Sequence, residues 1–161
     1  MRRLLVLGVA LVALAATASS AQAYTKPAPG GSYVSLAGCF KNGGATTVPA
    51  NVPFTVFGGW AAANRGLVID WLDAQIDTLS IDGGPAIDLT PYFLGLTDEW
   101  DTSNGTGWAD IFFYQVRTLA AGQSVNLAWT TGTTRPTPDG ITLGKPGGPS
   151  SFTFTCTVTG E

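Results

Sequence analysis

Residues 151–159 read SFTFTCTVT, and their alternating pattern is the clearest indication of the fold class. Its apolar residues alternate with threonine, so one side of an extended strand is apolar and the other carries hydroxyl groups. Threonine, valine and phenylalanine also favour strands. The pattern predicts a half-buried strand that closes an all-β fold. The apolar set is Phe152, Phe154, Cys156 and Val158.

Other segments predict further strands of similar length. Residues 33–40 read as a first strand, and residues 76–90 as a hairpin that turns over residues 82–85, Asp-Gly-Gly-Pro. Residues 108–117 (WADIFFYQVR) are apolar on both sides, which predicts a central strand that is covered on each face. About eight short strands with turn signals at this spacing predict an immunoglobulin-like two-sheet β-sandwich.

One segment has a helical spacing instead. In residues 64–75, Leu67, Val68 and Trp71 recur at the three- and four-residue intervals of a helix face. Asn64 is a suitable N-cap, because its side chain can accept a hydrogen bond from a free amide two or three residues later. We expect one short crossover helix between the sheets, with its apolar stripe on the core. A partner site on that stripe is the alternative.

A short segment near the end of the chain has a resemblance outside this sequence. Residues 119–127 read LAAGQSVNL and are similar to a phrase common in bacterial immunoglobulin-like and fibronectin-like sandwiches, in which a glycine-centred turn precedes a late strand. The antibody pattern of two cysteines flanking a tryptophan is absent, because the cysteines here are too far apart. The resemblance therefore implies a fold class and no activity.

The N-terminal segment predicts export. Residues 1–23 begin with two arginines, continue with an apolar run and end Ala21-Gln22-Ala23, as a cleaved secretory signal peptide does. The alternative, a membrane anchor, needs about 20 apolar residues, and polar residues interrupt this run earlier. We expect cleavage after Ala23, a flexible leader over residues 24–32 and a single sandwich domain over residues 33–161. The predicted location is secreted and extracellular.

The two cysteines, Cys39 and Cys156, are expected to form a disulfide, because paired cysteines are usual in exported proteins. Both lie in strand-like runs, so the bond would join the first strand to the last. The alternative treats Leu36-Ala37-Gly38-Cys39 as a bacterial lipobox with a lipidated Cys39. That motif directly follows the apolar part of a signal peptide, whereas here residues 24–35 intervene.

Composition restricts the chemistry. The chain has no histidine, which excludes Ser-His-Asp and Cys-His catalysis and ordinary zinc sites. Loss of Arg2 and Arg3 with the signal leaves six basic and eleven acidic residues, a net charge of −5 that disfavours nucleic acid as a partner. The mature chain has no apolar run long enough for a transmembrane span. We expect no enzyme activity and no cofactor.

The candidate site is a polar loop predicted over residues 97–107, together with the start of the following strand. Its carboxylates suggest calcium as an alternative to the expectation that no metal binds, because calcium prefers oxygen ligands. Trp100 is the tryptophan expected to be exposed and available to stack on a sugar ring, whereas Trp71 and Trp129 are expected in the core. The candidate residues are Asp98, Glu99, Trp100, Asp101, Trp108 and Asp110.

These observations favour a secreted, non-enzymatic domain with a binding or structural role outside the cell. The expected partner is an extracellular protein or a glycan. One alternative is an extracellular carbohydrate-binding module. The other is a secreted hydrolase that uses two carboxylates of residues 98–110.

Overall fold

The structure, a computed structural model, describes residues 31–62, 64–102, 105–137 and 150–161, with the backbone alone for residues 96–102, 105–106 and 150. The predicted signal peptide lies outside the described residues, as does the predicted leader up to residue 30. In chain order the elements are β1 (Ser32–Ser35), α1 (Leu36–Lys41), β2 (Ala45–Val48), β3 (Phe54–Ala62), α2 (Arg65–Leu72), β4 (Gln75–Ile81), β5 (Ile87–Asp88), a 3₁₀ turn (Thr90–Tyr92), β6 (Phe93–Thr102), β7 (Gly105–Val116), β8 (Ser124–Thr133) and β9 (Ser150–Gly160).

The strands form two sheets, which confirms the expected all-β two-sheet sandwich. A four-stranded sheet has the order β1-β3-β7-β6, and a five-stranded sheet has the order β2-β9-β8-β4-β5. Most neighbours are antiparallel, but β1 pairs with β3, and β2 with β9, in parallel. Each parallel pair places a short strand at the edge of its sheet.

The core lies between the sheets and follows the alternation of the strands. Phe54, Val56 and Phe112 of the four-stranded sheet are fully buried against Leu79 and Trp129 of the five-stranded sheet. The predicted burial of Trp71 and Trp129 is confirmed, since both are at most 2% exposed.

One glycine sets how closely the sheets pack. A Cβ atom at Gly58 in β3 would lie 2.8 Å from the indole ring of Trp129. Because real Cβ atoms do not approach other heavy atoms that closely, a residue with a side chain would push the ring away. Gly58 therefore lets the largest side chain of the five-stranded sheet pack directly on β3.

The predicted crossover helix is confirmed as α2. The side chain of Asn64 accepts a hydrogen bond from the backbone N–H of Leu67 at 3.1 Å, as expected for an N-cap. Val68 and Trp71 are fully buried, and Trp71 stacks on Trp60 of β3 with a centroid distance of 5.5 Å. The helix connects β3 of one sheet to β4 of the other.

The prediction of a strand through residue 40 is wrong, because the chain leaves β1 at Ser35 and forms α1. Ser35 caps this helix, and its hydroxyl accepts from the backbone N–H of Gly38 at 3.1 Å. Cys39 therefore lies on a helix, not on a strand. Its disulfide with Cys156 is confirmed, with Cα atoms 5.8 Å apart, so the bond joins α1 to β9. A lipidated Cys39 would have no sulfur left for this bond.

The predicted polar loop over residues 97–107 is also wrong, because β6 and β7 pair along most of it. The register continues to Thr102 opposite Gly105, so only two residues connect the strands. Two register shifts interrupt the pairing, one between Phe93 and Leu96 and one between Thr97 and Trp100.

The prediction that β7 is covered on both faces is half correct. Phe112 and Val116 are buried in the core, whereas Phe113 and Ile111 on the opposite face are only partly buried. β7 is an interior strand of its sheet, but no third layer packs on its outer face within the described residues. Apolar residues on both sides of a strand therefore accompany a second apolar face here, which is partly buried.

Candidate functional site

The hairpin of β6 and β7 holds the residues that the sequence singled out. Asp98, Glu99, Trp100 and Asp101 all lie on β6, the outer strand of the four-stranded sheet. Their side chains are outside the described atoms, so the glycan and calcium predictions for them stay predictions. A bulged, charged strand at a sheet edge resists pairing with another chain, which is a structural role for these carboxylates.

Trp108 and Asp110 lie on β7, and neither belongs to a solvated loop. Trp108 is partly buried. Asp110 is 2% exposed and is paired with Trp60 of β3 in the sheet. Burial raises the pKa of Asp110, partly opposed by the backbone N–H groups of Ile111 and Gly95. The Ile111 N–H donates to its carboxylate at 2.9 Å. Asp110 is therefore an interior carboxyl group.

Sequence reasoning missed a second interior carboxyl group, Asp77 of β4. Asp77 is 1% exposed, and the indole N–H of Trp129 donates to its Oδ1 at 2.8 Å. Burial raises its pKa from the ordinary 3.8 to about 7, although the hydrogen bond from Trp129 opposes the rise; the negative charges of Asp88 and Asp110 add to it. The signal was in the alternation, because Asp77 shares the inward side with Leu79.

The interior around these carboxyls contains further polar atoms. Within the described residues, the indole nitrogens of Trp60 and Trp71, Oδ2 of Asp77 and the hydroxyl of Thr131 are buried and have no hydrogen-bond partner. Buried polar groups without partners are costly, so this end of the core is a weak point of the fold. The group is closed to solvent, because Asp77 and Thr131 are each 1% exposed.

The outer face of the four-stranded sheet is apolar. Phe57 and Phe113 are directly opposite on β3 and β7 and stack with a centroid distance of 5.8 Å. Tyr33 of β1 is 42% exposed and packs edge-on against Phe113 at 6.3 Å. A cavity of about 100 Å³ opens beside them, lined in part by Phe57, Trp60 and Ile111. We define the aromatic face as Tyr33, Phe57, Ile111 and Phe113.

The outer face of the five-stranded sheet carries hydroxyl groups. Thr130 of β8 and Thr153 of β9 are hydrogen bonded through their side chains at 2.8 Å. Ser124 and Thr159 form the same kind of pair at 2.8 Å. We define the hydroxyl face by ten outward residues of β4, β8 and β9, namely Thr78, Ser80, Ser124, Asn126, Ala128, Thr130, Thr153, Thr155, Thr157 and Thr159. The apolar Ile76 is also outward, at the beginning of β4, and is 38% exposed.

A shallow groove of about 280 Å³ crosses the hydroxyl face. Ser80, Ala128 and Thr155 stand in a row across three adjacent strands, and Asn126 lies next to Thr157 in the following row. The full lining is Gly44, Ser80, Gly83, Asn126, Leu127, Ala128, Thr155, Cys156 and Thr157.

The described residues include no helix that is long and apolar enough to cross a membrane. Comparisons with protein-family models, with curated proteins and with solved structures gave no match to this chain.

Proposed function

We propose that this chain is exported, is cleaved after Ala23 and acts outside the cell as a non-enzymatic binding or structural domain. The signal-like residues 1–23 support export. The disulfide between Cys39 and Cys156 is compatible with an oxidising location. The observation that carries the binding role is the aromatic face.

The aromatic face has the composition of a contact surface. Apolar surface in contact with water is unfavourable, and each Å² of it that a partner covers contributes about 25 cal/mol to the free energy of binding. Phe57 covers one side of the Phe113 ring, and Tyr33 packs on it as well, so less ring surface is left to stack on a sugar. This arrangement favours an apolar protein surface as the partner of this face.

The carboxyl groups support the non-enzymatic part of the proposal. A hydrolase of the two-carboxylate type needs both groups beside the substrate, about 5–10 Å apart. Asp77 and Asp110 are interior, which leaves Asp98, Glu99 and Asp101 as the residues on which the hydrolase alternative depends. Loss of turnover on their replacement by the corresponding amides would support that alternative instead.

The test of the proposal uses the protein from culture medium. We expect a soluble species that begins at Tyr24 and gains two hydrogens on reduction, measured by intact mass. The double variant F57S/F113S should reduce co-sedimentation with the cell-envelope fraction of the producing organism by about tenfold or more, as loss of two buried aromatic contacts would.

Two further variants control this experiment. Q115A changes an exposed residue on the same side of β7 and should leave co-sedimentation unchanged. Y33S removes a ring that is 42% exposed at the sheet edge, and so tests the face without replacing a residue of β3 or β7. Thermal unfolding establishes that each variant folds. Equal co-sedimentation of the wild type and all the aromatic variants would exclude the aromatic face as the contact surface.

A further inference from the structure

We infer that the groove on the hydroxyl face binds an uncharged, polyhydroxylated ligand, namely a neutral glycan. The inference rests on the proposed extracellular location, where glycans are abundant. The groove lies on the five-stranded sheet, whereas the aromatic face lies on the four-stranded sheet.

The shape of the groove follows from one small residue. Ala128 of β8 lies between Ser80 of β4 and Thr155 of β9, and its methyl group is shorter than the side chains around it. Gly44 and Gly83, each in a turn beside the sheet, stand in the same lining. The floor is therefore the Ala128 methyl group, and the walls carry hydroxyl and amide groups.

Hydrogen-bonding capacity in the groove remains unused. Oδ1 of Asn126 accepts from the Thr157 hydroxyl at 2.9 Å, which fixes the amide and leaves its NH₂ group to donate to a ligand. The Ser80 hydroxyl donates to the carbonyl of Gly84 at 2.8 Å and can still accept. The Thr155 hydroxyl has no partner within the described part of the chain. A sugar hydroxyl both donates and accepts, so it matches this set.

The groove has no charged side chain that would attract an ionic ligand. The nearby carboxylate of Asp82 accepts from the backbone N–H of Asn126 at 2.8 Å and forms an ion pair with Arg117 at 2.8 Å. Because this pair neutralises itself, nothing in the groove favours a phosphate, a carboxylate or an ammonium group.

Other uncharged partners fit the groove less well. A peptide that adds as a strand needs free backbone groups, and here β8 is paired on both sides, with β4 and with β9. An apolar partner needs apolar side chains, yet Leu127 and Cys156 point into the core and only Ala128 faces outward. A ligand recognised by side-chain hydroxyl and amide groups alone is a polyol.

The test is affinity electrophoresis of the mature protein in native gels that contain dextran, soluble mannan or soluble galactan, with polygalacturonate as an anionic contrast. We expect retardation by at least one neutral polysaccharide and no loss of it at high salt. A128L fills the groove and N126A removes the fixed amide, so each should weaken binding by about tenfold, the effect of one or two lost hydrogen bonds. T153A lies on the same face outside the groove and should change binding by less than about twofold.

The outcomes separate this inference from the proposed function. Retardation by none of the neutral polysaccharides, or only by polygalacturonate and only at low salt, would overturn it. Retardation that survives A128L but is lost in F57S/F113S would move the glycan to the aromatic face and also refute the groove. If F57S/F113S loses envelope binding but keeps retardation by the polysaccharide, both proposals stand.

Discussion

The two outer faces of the sandwich differ, although the same alternation builds both sheets. On the four-stranded sheet the outward residues of β3 and β7 include Phe57, Ile111 and Phe113. On the five-stranded sheet the outward residues of β9 are threonines at every second position from Thr153 to Thr159. Most inward residues of both sheets are apolar, because a shared core requires it, and Asp77 and Asp110 are the carboxyl groups among them. Outward residues do not have to be apolar for the core to pack, so their composition indicates whether a face contacts water, a ligand or a partner.

A strand that is apolar on both sides has two structural explanations, a third layer or an apolar contact surface. In β7 the second apolar side does not signal a third layer in the described structure; it forms the aromatic face. In β9 the polar side fits solvent or a hydrated ligand. Variants of the shared disulfide and core, followed by a variant of one face alone, test whether the two faces are independent surfaces on one fold.

The largest expected effect comes from the bond that joins the two sheets through α1. Cys39 and Cys156 are separated by 117 positions, and closing a loop of that length is worth about 4–5 kcal/mol in the chain-entropy model. We expect C39A/C156A to lower the free energy of unfolding by about that amount, measured by denaturant unfolding. Both faces should be lost in one transition.

Amide hydrogen exchange provides the control for that experiment. β3 and β7 report on the four-stranded sheet, and β8 and β9 on the five-stranded sheet. A variant in which one sheet keeps its protection while the other loses it would show that the faces belong to separately stable units. A change in stability below about 1 kcal/mol would contradict the role given to the disulfide.

The second effect concerns Asp77, which lies beneath the hydroxyl face. Its pKa in the folded protein is about 7, whereas the ordinary value is 3.8. Between about pH 4 and pH 7 the folded protein therefore keeps a proton on Asp77 that the unfolded chain has lost. Stability therefore falls as pH rises from about 4 to 7, by at most about 4 kcal/mol, and is level above that range. Denaturant unfolding across this range measures the slope.

D77N tests the assignment. Asparagine keeps an oxygen that accepts from the indole of Trp129 but cannot ionise, so most of the slope should disappear. A smaller slope of the same sign should remain, because burial also raises the pKa of Asp110. D73N, at an exposed carboxylate, is the matched control and should keep the full slope. An unchanged slope in D77N would show that Asp77 is ionised throughout.

Much of the fold could be predicted from local patterns. Alternation in residues 151–159, the capping Asn64 and the Asp82-Gly83 turn each specify a local structure by themselves, and the structure has all three. The disulfide followed from composition. The short helix α1 was missed because its six residues hold too few turns to show a helical period, although the Ser35 cap was visible.

The candidate site was less predictable, because composition concealed pairing. Residues 97–107 are polar enough to suggest a loop, yet an edge strand is often charged. Asp77 was missed since a carboxyl group on the apolar side of a strand is rare. The two outer faces were beyond prediction, because the sequence alone does not say which apolar side lacks a covering layer.

The smallest expected effect changes the hydroxyl face alone. T130V replaces one hydroxyl of the Thr130–Thr153 pair with a methyl group, keeps the β-branched shape and touches neither the core nor the aromatic face. We expect a loss of about 0.2–1 kcal/mol in the free energy of unfolding, the usual worth of a cross-strand pair. The cycle of T130V, T153V and the double variant isolates the coupling between the two hydroxyls. A coupling well above that range would assign the threonine pairs to holding the sheet together, whereas a coupling near zero would mean that the outward threonines contribute little to the fold and that their hydroxyls remain free for water or a ligand.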